Sequence, residues 1–376
     1  MDDTRIIYEM KKEEINLVSS IPCDRAKGLF FRLPEEFRHI GLTREEDGVG
    51  ISAGAYLAGD RPMIAIQSSG LGNMLNAILS LTVTFGLPLP ILASWRGGKT
   101  ENIPAQIPFN RSLTRILAAA GIPFTVLSRP DTAHEIGAAI SRAYDKRTPY
   151  VVLVEPGCID ETPSSGPNDT SLLACCPRPA VQYQRTWCTP IMTRFDAIKV
   201  ITQEVRDEVI ISNIGVPSKE LYAAYDRELN FYMLGSYTQA SAIGLGIATS
   251  RSDKRVIVID GDGSLLGSSI LPVIAGAAPK NLTIICLDNG VFGSTGNQPR
   301  PGRETADLRL MAIGAGFEHT WTVHNPADLT EAFHASSGRG PCFIHARILP
   351  GNANVQNIPL TPDQIRDRFI TAIKTV

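Results

Sequence analysis

The chain has 376 residues, of which 43% are hydrophobic and 20% are charged, and its formal net charge is −2. This length allows two ordinary domains, and the near-neutral charge argues against nucleic acid or a membrane surface as a partner. The N-terminal residues are charged, and no apolar run reaches the roughly 20 residues that a membrane span requires. Seven scattered cysteines without paired spacing indicate neither a disulfide framework nor a zinc site. We therefore expect a soluble, cytoplasmic, globular protein.

Short apolar runs rich in β-branched residues alternate with longer helical patterns in both halves, which predicts an α/β protein with parallel sheets flanked by helices. The predicted strands are Met63–Gln67, Pro90–Ser94, Phe124–Leu127 and Tyr150–Glu155 in the first half, and Glu208–Ser212, Phe231–Leu234, Arg255–Asp260, Leu282–Leu287 and Cys342–Ala346 in the second. Residues 162–190 are rich in Pro, Ser and Cys and lack periodicity, so we interpret them as a linker. The sequence thus predicts one domain at 1–161 and a second at 191–376.

An acidic cluster begins a predicted helix in the first half. Thr43 and Glu46 have the spacing of a capping box, with Thr43 as the N-cap. Acidic side chains are also favourable at a helix N-terminus. Helix chemistry therefore explains Glu46 and leaves the adjacent Glu45 unassigned.

An apolar strand in the second half ends in the run Gly261, Asp262, Gly263 and Ser264, and a helix is predicted from Leu265 to Ala277. Ligands of parallel sheets bind at the carboxyl ends of strands, where glycines allow close approach and a carboxylate offers oxygen to a divalent cation. Asn289 follows the next predicted strand, 289 − 262 = 27 residues later, and would converge with Asp262 if the strands are neighbours. A Gly-Asp-Gly turn alone is better explained by turn chemistry, and Asn289 at this spacing is what favours a ligand site.

Gly261-Asp262-Gly263 followed by Asn289 resembles the thiamine-diphosphate motif of pyruvate-decarboxylase-type enzymes. The resemblance implies that Asp262, Asn289 and the backbone carbonyl of Val291 hold Mg²⁺ against the cofactor's diphosphate, because Mg²⁺ prefers oxygen ligands. It also implies that Gly263 and Ser264 lie beside the phosphates.

The same resemblance gives Glu45 a role. In this family a glutamate stands nine residues before the glycine of an Ala-Gly pair, which here is Gly54. Its carboxylate is expected to hydrogen-bond the cofactor's aminopyrimidine ring. Glu46 and Asp47 are the alternatives for this role.

Further runs resemble the compact phosphonopyruvate and sulfopyruvate decarboxylases over nearly the whole chain outside the linker. These runs are 67–73, 94–97, 212–221 and 349–353. The resemblance implies that Asn213, in the third run, contacts the cofactor. A pyrimidine-binding domain followed directly by a diphosphate-binding domain is the organisation of this compact type. The sulfopyruvate decarboxylases of coenzyme M synthesis are the most similar, with both subunit types fused in one chain. The resemblance therefore implies decarboxylation of 3-sulfopyruvate to sulfoacetaldehyde and CO₂.

Recognition of an acid-tailed 2-oxo acid requires fixed hydrogen-bond donors. Arg96 in a glycine-flanked loop is one candidate, because a guanidinium fork matches oxyanions. Gln106 stands where phosphonopyruvate decarboxylases have a histidine, and a neutral donor suits a sulfonate. Asn73 and Arg111 are further candidates.

One run departs from the family pattern. Gly235, Ser236 and Tyr237 fall where relatives resemble Gly-Ser-Met, in the part of the site that contacts the cofactor. The methionine normally bends the cofactor into its reactive shape, so Tyr237 has to serve instead, or another residue does.

Three alternatives remain open. Phosphonopyruvate decarboxylase is the nearest, and a carboligating enzyme similar to acetolactate synthase is disfavoured by the absence of a middle domain. Tyr237 raises the third, a catalytically inactive, cofactor-binding partner subunit. The family builds each site from two chains, so a homo-oligomer is expected.

Overall fold

The computed structural model describes residues 1–98, 101–159, 183 and 188–375. The strands are β1 Leu17–Ser20, β2 Arg38–Gly41, β3 Pro62–Gln67, β4 Leu89–Ser94, β5 Phe124–Leu127, β6 Pro149–Val154, β7 Val209–Ser212, β8 Asn230–Tyr232, β9 Val256–Gly261, β10 Leu282–Asp288, β11 Val291–Phe292, β12 Gln298–Pro299, β13 His319–Val323 and β14 Cys342–Arg347. The α-helices are α1 Asp3–Lys12, α2 Lys27–Glu36, α3 Glu45–Leu57, α4 Leu71–Ala77, α5 Ile107–Ala119, α6 His134–Lys146, α7 Arg194–Glu204, α8 Val216–Ala224, α9 Ala240–Ser250, α10 Asp262–Gly267, α11 Ile270–Ala277, α12 Leu308–Ala315, α13 Pro326–Ala335 and α14 Pro362–Thr375.

The chain forms two compact units. The first comprises Met1–Gly41, Arg61–Asn73 and Pro88–Arg185, and the second comprises Leu42–Asp60, Met74–Leu87 and Thr186–Val376. Helix α3 therefore belongs to the second unit, although it precedes most of the first unit in sequence. The domain boundaries at 1–161 and 191–376 stay predictions. The predicted linker, 162–190, falls almost entirely outside the described residues.

The first unit contains a six-stranded parallel sheet in the order β2-β1-β3-β4-β6-β5. Every residue of β4 and β6 is buried, which is expected of central strands covered on both faces. This explains why β3, β4 and β6 were predictable from apolar runs. Strands β1 and β2 were missed because their sequences, LVSS and RHIG, carry few apolar residues.

The second unit contains another six-stranded parallel sheet, in the order β13-β14-β10-β9-β7-β8. Strands β9 and β10 are neighbours, with Gly261 paired to Leu287, so the two predicted strand ends lie side by side. The two sheets confirm the predicted fold class. Strands β11 and β12 form a short antiparallel hairpin after β10.

Helix α3 packs closely against α9 within the second unit through small residues. A Cβ atom on Gly54 would overlap the carbonyl oxygen of Ile243, and one on Gly246 would overlap that of Ile51. The backbone amide of Gly50 also donates to the Gln239 side chain at 3.0 Å. The absence of side chains at these glycines therefore allows the two helix backbones to touch and fixes the position of α3.

Two predicted details of the helices are wrong. Residues 265–277 do not form one helix, because the backbone leaves the helical conformation at Ser268 and divides it into α10 and α11. The capping box at α3 is also absent, since the N-cap is Arg44 and makes no side-chain capping bond. The Thr43 hydroxyl donates instead to the carbonyl of Ser269 at 3.0 Å. None of the helices in the described part of the chain is both long and apolar enough to span a membrane.

Candidate active site

A cavity of about 200 Å³ lies at the carboxyl ends of β9 and β10. Asp262 is the first residue after β9, and Asn289 is the first after β10. The neighbouring strands therefore bring both residues to one edge of the sheet, as the sequence predicted. The predicted cofactor residues that line the cavity are Asn213, Tyr237, Gly261, Asp262, Gly263, Ser264, Asn289 and Val291.

Two of the predicted cofactor residues, Gly235 and Ser236, are not part of that lining. Ser236 has a left-handed backbone with φ of 70°, and its buried hydroxyl has no hydrogen-bond partner. An unpaired buried hydroxyl is costly and is expected to find a partner in the working protein. Ser236 thus keeps a hydrogen-bonding capacity beside the cavity residue Tyr237.

The hydrogen bonds around the cavity fix its backbone. The Asn289 side chain accepts from the Val291 amide at 3.0 Å, and the Tyr237 hydroxyl donates to the Gly263 carbonyl at 2.5 Å. A Cβ atom on Gly263 would lie 2.8 Å from the ring of Phe292. A side chain at this position would therefore displace the Phe292 ring, which lines the cavity.

The donor set at this edge fits a hard divalent cation. It consists of a carboxylate, an amide oxygen and a backbone carbonyl, from Asp262, Asn289 and Val291. Burial, followed by the nearby charge of Asp288, raises the pKa of Asp262 above its ordinary value. A bound cation would favour the ionised carboxylate. No group of three or more His, Cys, Asp or Glu side chains converges on a metal position within the described ranges.

The three acidic residues at the start of α3 have different environments. Glu45 is half-buried, and Glu46 forms an ion pair with Arg44 at 2.9 Å. Asp47 is fully buried, and its pKa is raised to about 7, first by burial and then by the charge of Glu46. The Thr43 contact brings the start of α3 to Ser269, just after α10, the helix that begins with Asp262.

Predicted substrate residue Arg96 lies in the first unit and is only 2% exposed. Its guanidinium donates two hydrogen bonds to Glu101, at 2.6 and 3.2 Å, and one to Asp24 at 2.5 Å. These contacts hold the pKa of Glu101 well below its usual range. The positive charge of Arg96 is therefore compensated by two carboxylates in this arrangement.

Gln106 is a second substrate candidate that lies in the polar surroundings of Arg96. Gln67, at the end of β3, accepts from Arg96 at 3.3 Å and donates to the Gln106 side chain at 3.4 Å. Arg96 and Gln106 therefore share one polar cluster. Asn73 and Arg111 both have exposed side chains.

Several polar residues at the second sheet were not predicted. Arg194 lines the cavity and forms two hydrogen bonds to buried Glu220, at 2.7 and 3.0 Å. Arg300 and His345 contact Asp288, which precedes Asn289. Of these residues, only Asp288 could have been predicted from the sequence, because it is adjacent to the predicted ligand Asn289. Arg194 and Arg300 come from segments without a motif.

Comparisons with known proteins identify the family of the chain. The family described as "Thiamine pyrophosphate enzyme, C-terminal TPP binding domain" matches residues 218–346. The sulfopyruvate decarboxylase of Methanosarcina acetivorans is 44% identical over 98% of this chain and 96% of its own length. The phosphonopyruvate decarboxylase of Streptomyces viridochromogenes is 31% identical over 96% of this chain and 92% of its own length.

The two subunits of sulfopyruvate decarboxylase from Methanocaldococcus jannaschii match separate parts of the length. Its beta subunit is 44% identical over 48% of this chain, and its alpha subunit is 39% identical over 40%. The matches cover 97% and 90% of those subunits. Among solved structures, benzoylformate decarboxylase from Polynucleobacter necessarius has a TM-score of 0.67 at 11% identity, covering 95% of this chain and 99% of that chain, so it shares the fold. The chain therefore belongs to the compact family of thiamine-diphosphate-dependent decarboxylases that contains the sulfopyruvate and phosphonopyruvate decarboxylases.

Proposed function

We propose that the protein decarboxylates 3-sulfopyruvate to sulfoacetaldehyde and CO₂, with thiamine diphosphate and Mg²⁺, in coenzyme M biosynthesis. The observation that carries this proposal is the 44% identity to a sulfopyruvate decarboxylase over almost the full length of both chains. The phosphonopyruvate decarboxylase is more distant, at 31%. That activity is the second candidate.

Residues of the second unit would hold the cofactor. Asp262, Asn289 and the Val291 carbonyl are the proposed Mg²⁺ ligands, with Gly263 and Ser264 beside the diphosphate. The unpartnered hydroxyl of Ser236, next to the cavity residue Tyr237, supports a polar ligand close to this cavity. When bound, thiamine diphosphate supplies the electron sink that allows a 2-oxo acid to lose CO₂.

Glu45 is the proposed catalytic carboxylate. Its role is to share a proton with the cofactor's aminopyrimidine ring, and its place at the first residue of α3 supports this, because the tight α3–α9 packing fixes the helix. Rigid placement of an acid–base group is needed for efficient proton transfer. Tyr237, which lines the cavity and is held by its bond to Gly263, is the proposed replacement for the family methionine.

Substrate recognition is proposed for Arg96 and Gln106, with Asn73 and Arg111 as further candidates. Arg96 and the two carboxylates paired with it, Glu101 and Asp24, together carry a net charge of +1 − 2 = −1. A singly charged sulfonate suits such a cluster better than a phosphonate that can carry a second negative charge.

The assembly and location of the protein are also proposals. We infer a homo-oligomer with active sites between chains, located in the cytoplasm. An active enzyme that sediments only as a monomer would contradict this arrangement.

The substrate proposal is tested by measuring kcat/KM for sulfopyruvate, phosphonopyruvate and pyruvate under identical conditions. We expect sulfopyruvate to be preferred by at least about tenfold, which corresponds to about 1.4 kcal/mol. Preference for phosphonopyruvate would support the second candidate and reject the substrate proposed here. Activity with none of the acids would instead support an inactive partner subunit.

A further inference from the structure

A buried ionic network lies behind the proposed metal ligand Asp262. Its central residue is Arg300, which is only 3% exposed. The Arg300 Nε donates to Oδ2 of Asp262, and Nη2 donates to Oδ1 and Oδ2 of Asp288 at 3.2 and 3.1 Å. Nη1 donates to the carbonyl of Pro301 at 3.1 Å. The guanidinium thus bridges two carboxylates at neighbouring strands: Asp262, which follows β9, and Asp288, which is the last residue of β10.

The two carboxylates of this network, Asp262 and Asp288, make different hydrogen bonds. Both oxygens of Asp288 are occupied, because Oδ1 also accepts from the Gly290 amide at 3.0 Å and Oδ2 lies 2.8 Å from Nε2 of His345. Arg300 donates to Asp262 only at Oδ2, so it does not occupy the Oδ1 atom of Asp262. Among these network side chains, Asp262 belongs to the described cavity lining, whereas Arg300, Asp288 and His345 do not.

The backbone places Arg300 in this position. After β10 the chain forms the β11–β12 hairpin, in which Val291 pairs with Pro299. The next residue, Arg300, donates its backbone amide to the carbonyl of Gly290 at 3.1 Å. The hairpin therefore brings the chain back to the end of β10, where the Arg300 side chain contacts both carboxylates.

We propose that Arg300 is a positioning residue that fixes the carboxylate of Asp262 for the cation and keeps Asp288 from becoming a competing ligand. This inference rests on the proposed Mg²⁺ site. Residues behind a metal ligand orient it and tune its affinity. Arginine is required because its planar fork reaches two carboxylates at once, which a lysine ammonium does not do with the same geometry.

Arg300→Gln is the principal test, and its readout is the Mg²⁺ concentration that half-saturates thiamine diphosphate binding, measured by tryptophan fluorescence or calorimetry. We expect this concentration to rise by about 10- to 100-fold, the usual effect of losing a residue behind a metal ligand. Arg300→Lys keeps the charge and should restore only part of the affinity. A purely electrostatic role predicts the opposite, because removal of a positive charge near the cation would lower the Mg²⁺ requirement.

Stability is measured on the same variants, because Arg300→Gln leaves a buried carboxylate pair without its cation and is expected to lower Tm. A lower Tm with an unchanged or reduced Mg²⁺ requirement would overturn the proposal. If Arg300→Gln does not fold, the test is made with Arg300→Lys. A Mg²⁺ requirement of Arg300→Lys equal to that of wild type would then overturn the proposal. Thiamine diphosphate binding by wild type without any divalent cation would instead reject the proposed metal site.

Discussion

Replacing Glu45 by Gln is expected to lower kcat for CO₂ release by about 10²- to 10⁴-fold, the range associated with loss of a general acid–base group. Gln has nearly the same shape as Glu but cannot share the proton with the cofactor's pyrimidine ring. The change lies on α3 and leaves Asp262 and Asn289 intact. Thiamine diphosphate affinity should therefore change by less than about tenfold, so that the loss appears in kcat.

Glu46→Gln and Asp47→Asn are the comparators for this experiment. Glu46 is already paired with Arg44, whereas Asp47 is buried with a pKa of about 7. We expect Glu46→Gln to retain most of the activity, because its carboxylate makes a partly exposed ion pair of small energetic value. Wild-type activity in Glu45→Gln together with a large loss in Asp47→Asn would move the proton-sharing role to Asp47.

Asp262→Asn is expected to raise the Mg²⁺ concentration needed for thiamine diphosphate binding by more than about 100-fold. This increase exceeds the one expected for Arg300→Gln, because Asp262 is itself a proposed ligand. The substitution replaces the proposed anionic ligand by a neutral amide and also removes the charge paired with Arg300. The effect should appear as a shift in the Mg²⁺ titration. High Mg²⁺ should recover part of the activity, because the catalytic carboxylate is elsewhere.

Asp253→Asn provides the control, since that carboxylate is exposed and is paired with Arg251 at the surface. It removes the same charge from the chain without touching the cavity. Equal Mg²⁺ requirements in wild type, Asp253→Asn and Asp262→Asn would contradict the assignment of Asp262 as a ligand. Such a result would also remove the basis for Arg300 as its positioning residue.

The sequence was most informative where chemistry and periodicity coincide. All nine predicted strands are present, with ends shifted by no more than two residues, because buried parallel strands are nearly continuous apolar runs. Strand β13 was missed because its sequence HTWTV mixes polar residues with apolar ones and it lies at a sheet edge. The break between α10 and α11 was missed because Ser268 and Ser269 are weaker signals than Gly or Pro.

Local motifs located Asp262 and Asn289, whereas contacts between distant segments were not predictable. Arg300 meets Asp262 from 38 residues away, at the end of a hairpin that no periodicity revealed. The ion pair of Arg96 with Glu101 changes the electrostatics of a predicted substrate residue, but nothing in the loop sequence fixes which acid it meets. The capping box failed for a similar reason, since Thr43 found a partner at Ser269 instead.

The most direct test of the proposed function is the product stoichiometry of the purified single chain supplied with thiamine diphosphate, Mg²⁺ and sulfopyruvate. We expect one CO₂ and one sulfoacetaldehyde for each sulfopyruvate consumed, with no added partner protein and no turnover when either the cofactor or Mg²⁺ is omitted. This result would mean that one chain performs the work that the Methanocaldococcus jannaschii relatives divide between two subunits. Sulfopyruvate left unconsumed by protein shown to bind the cofactor would contradict the proposed function.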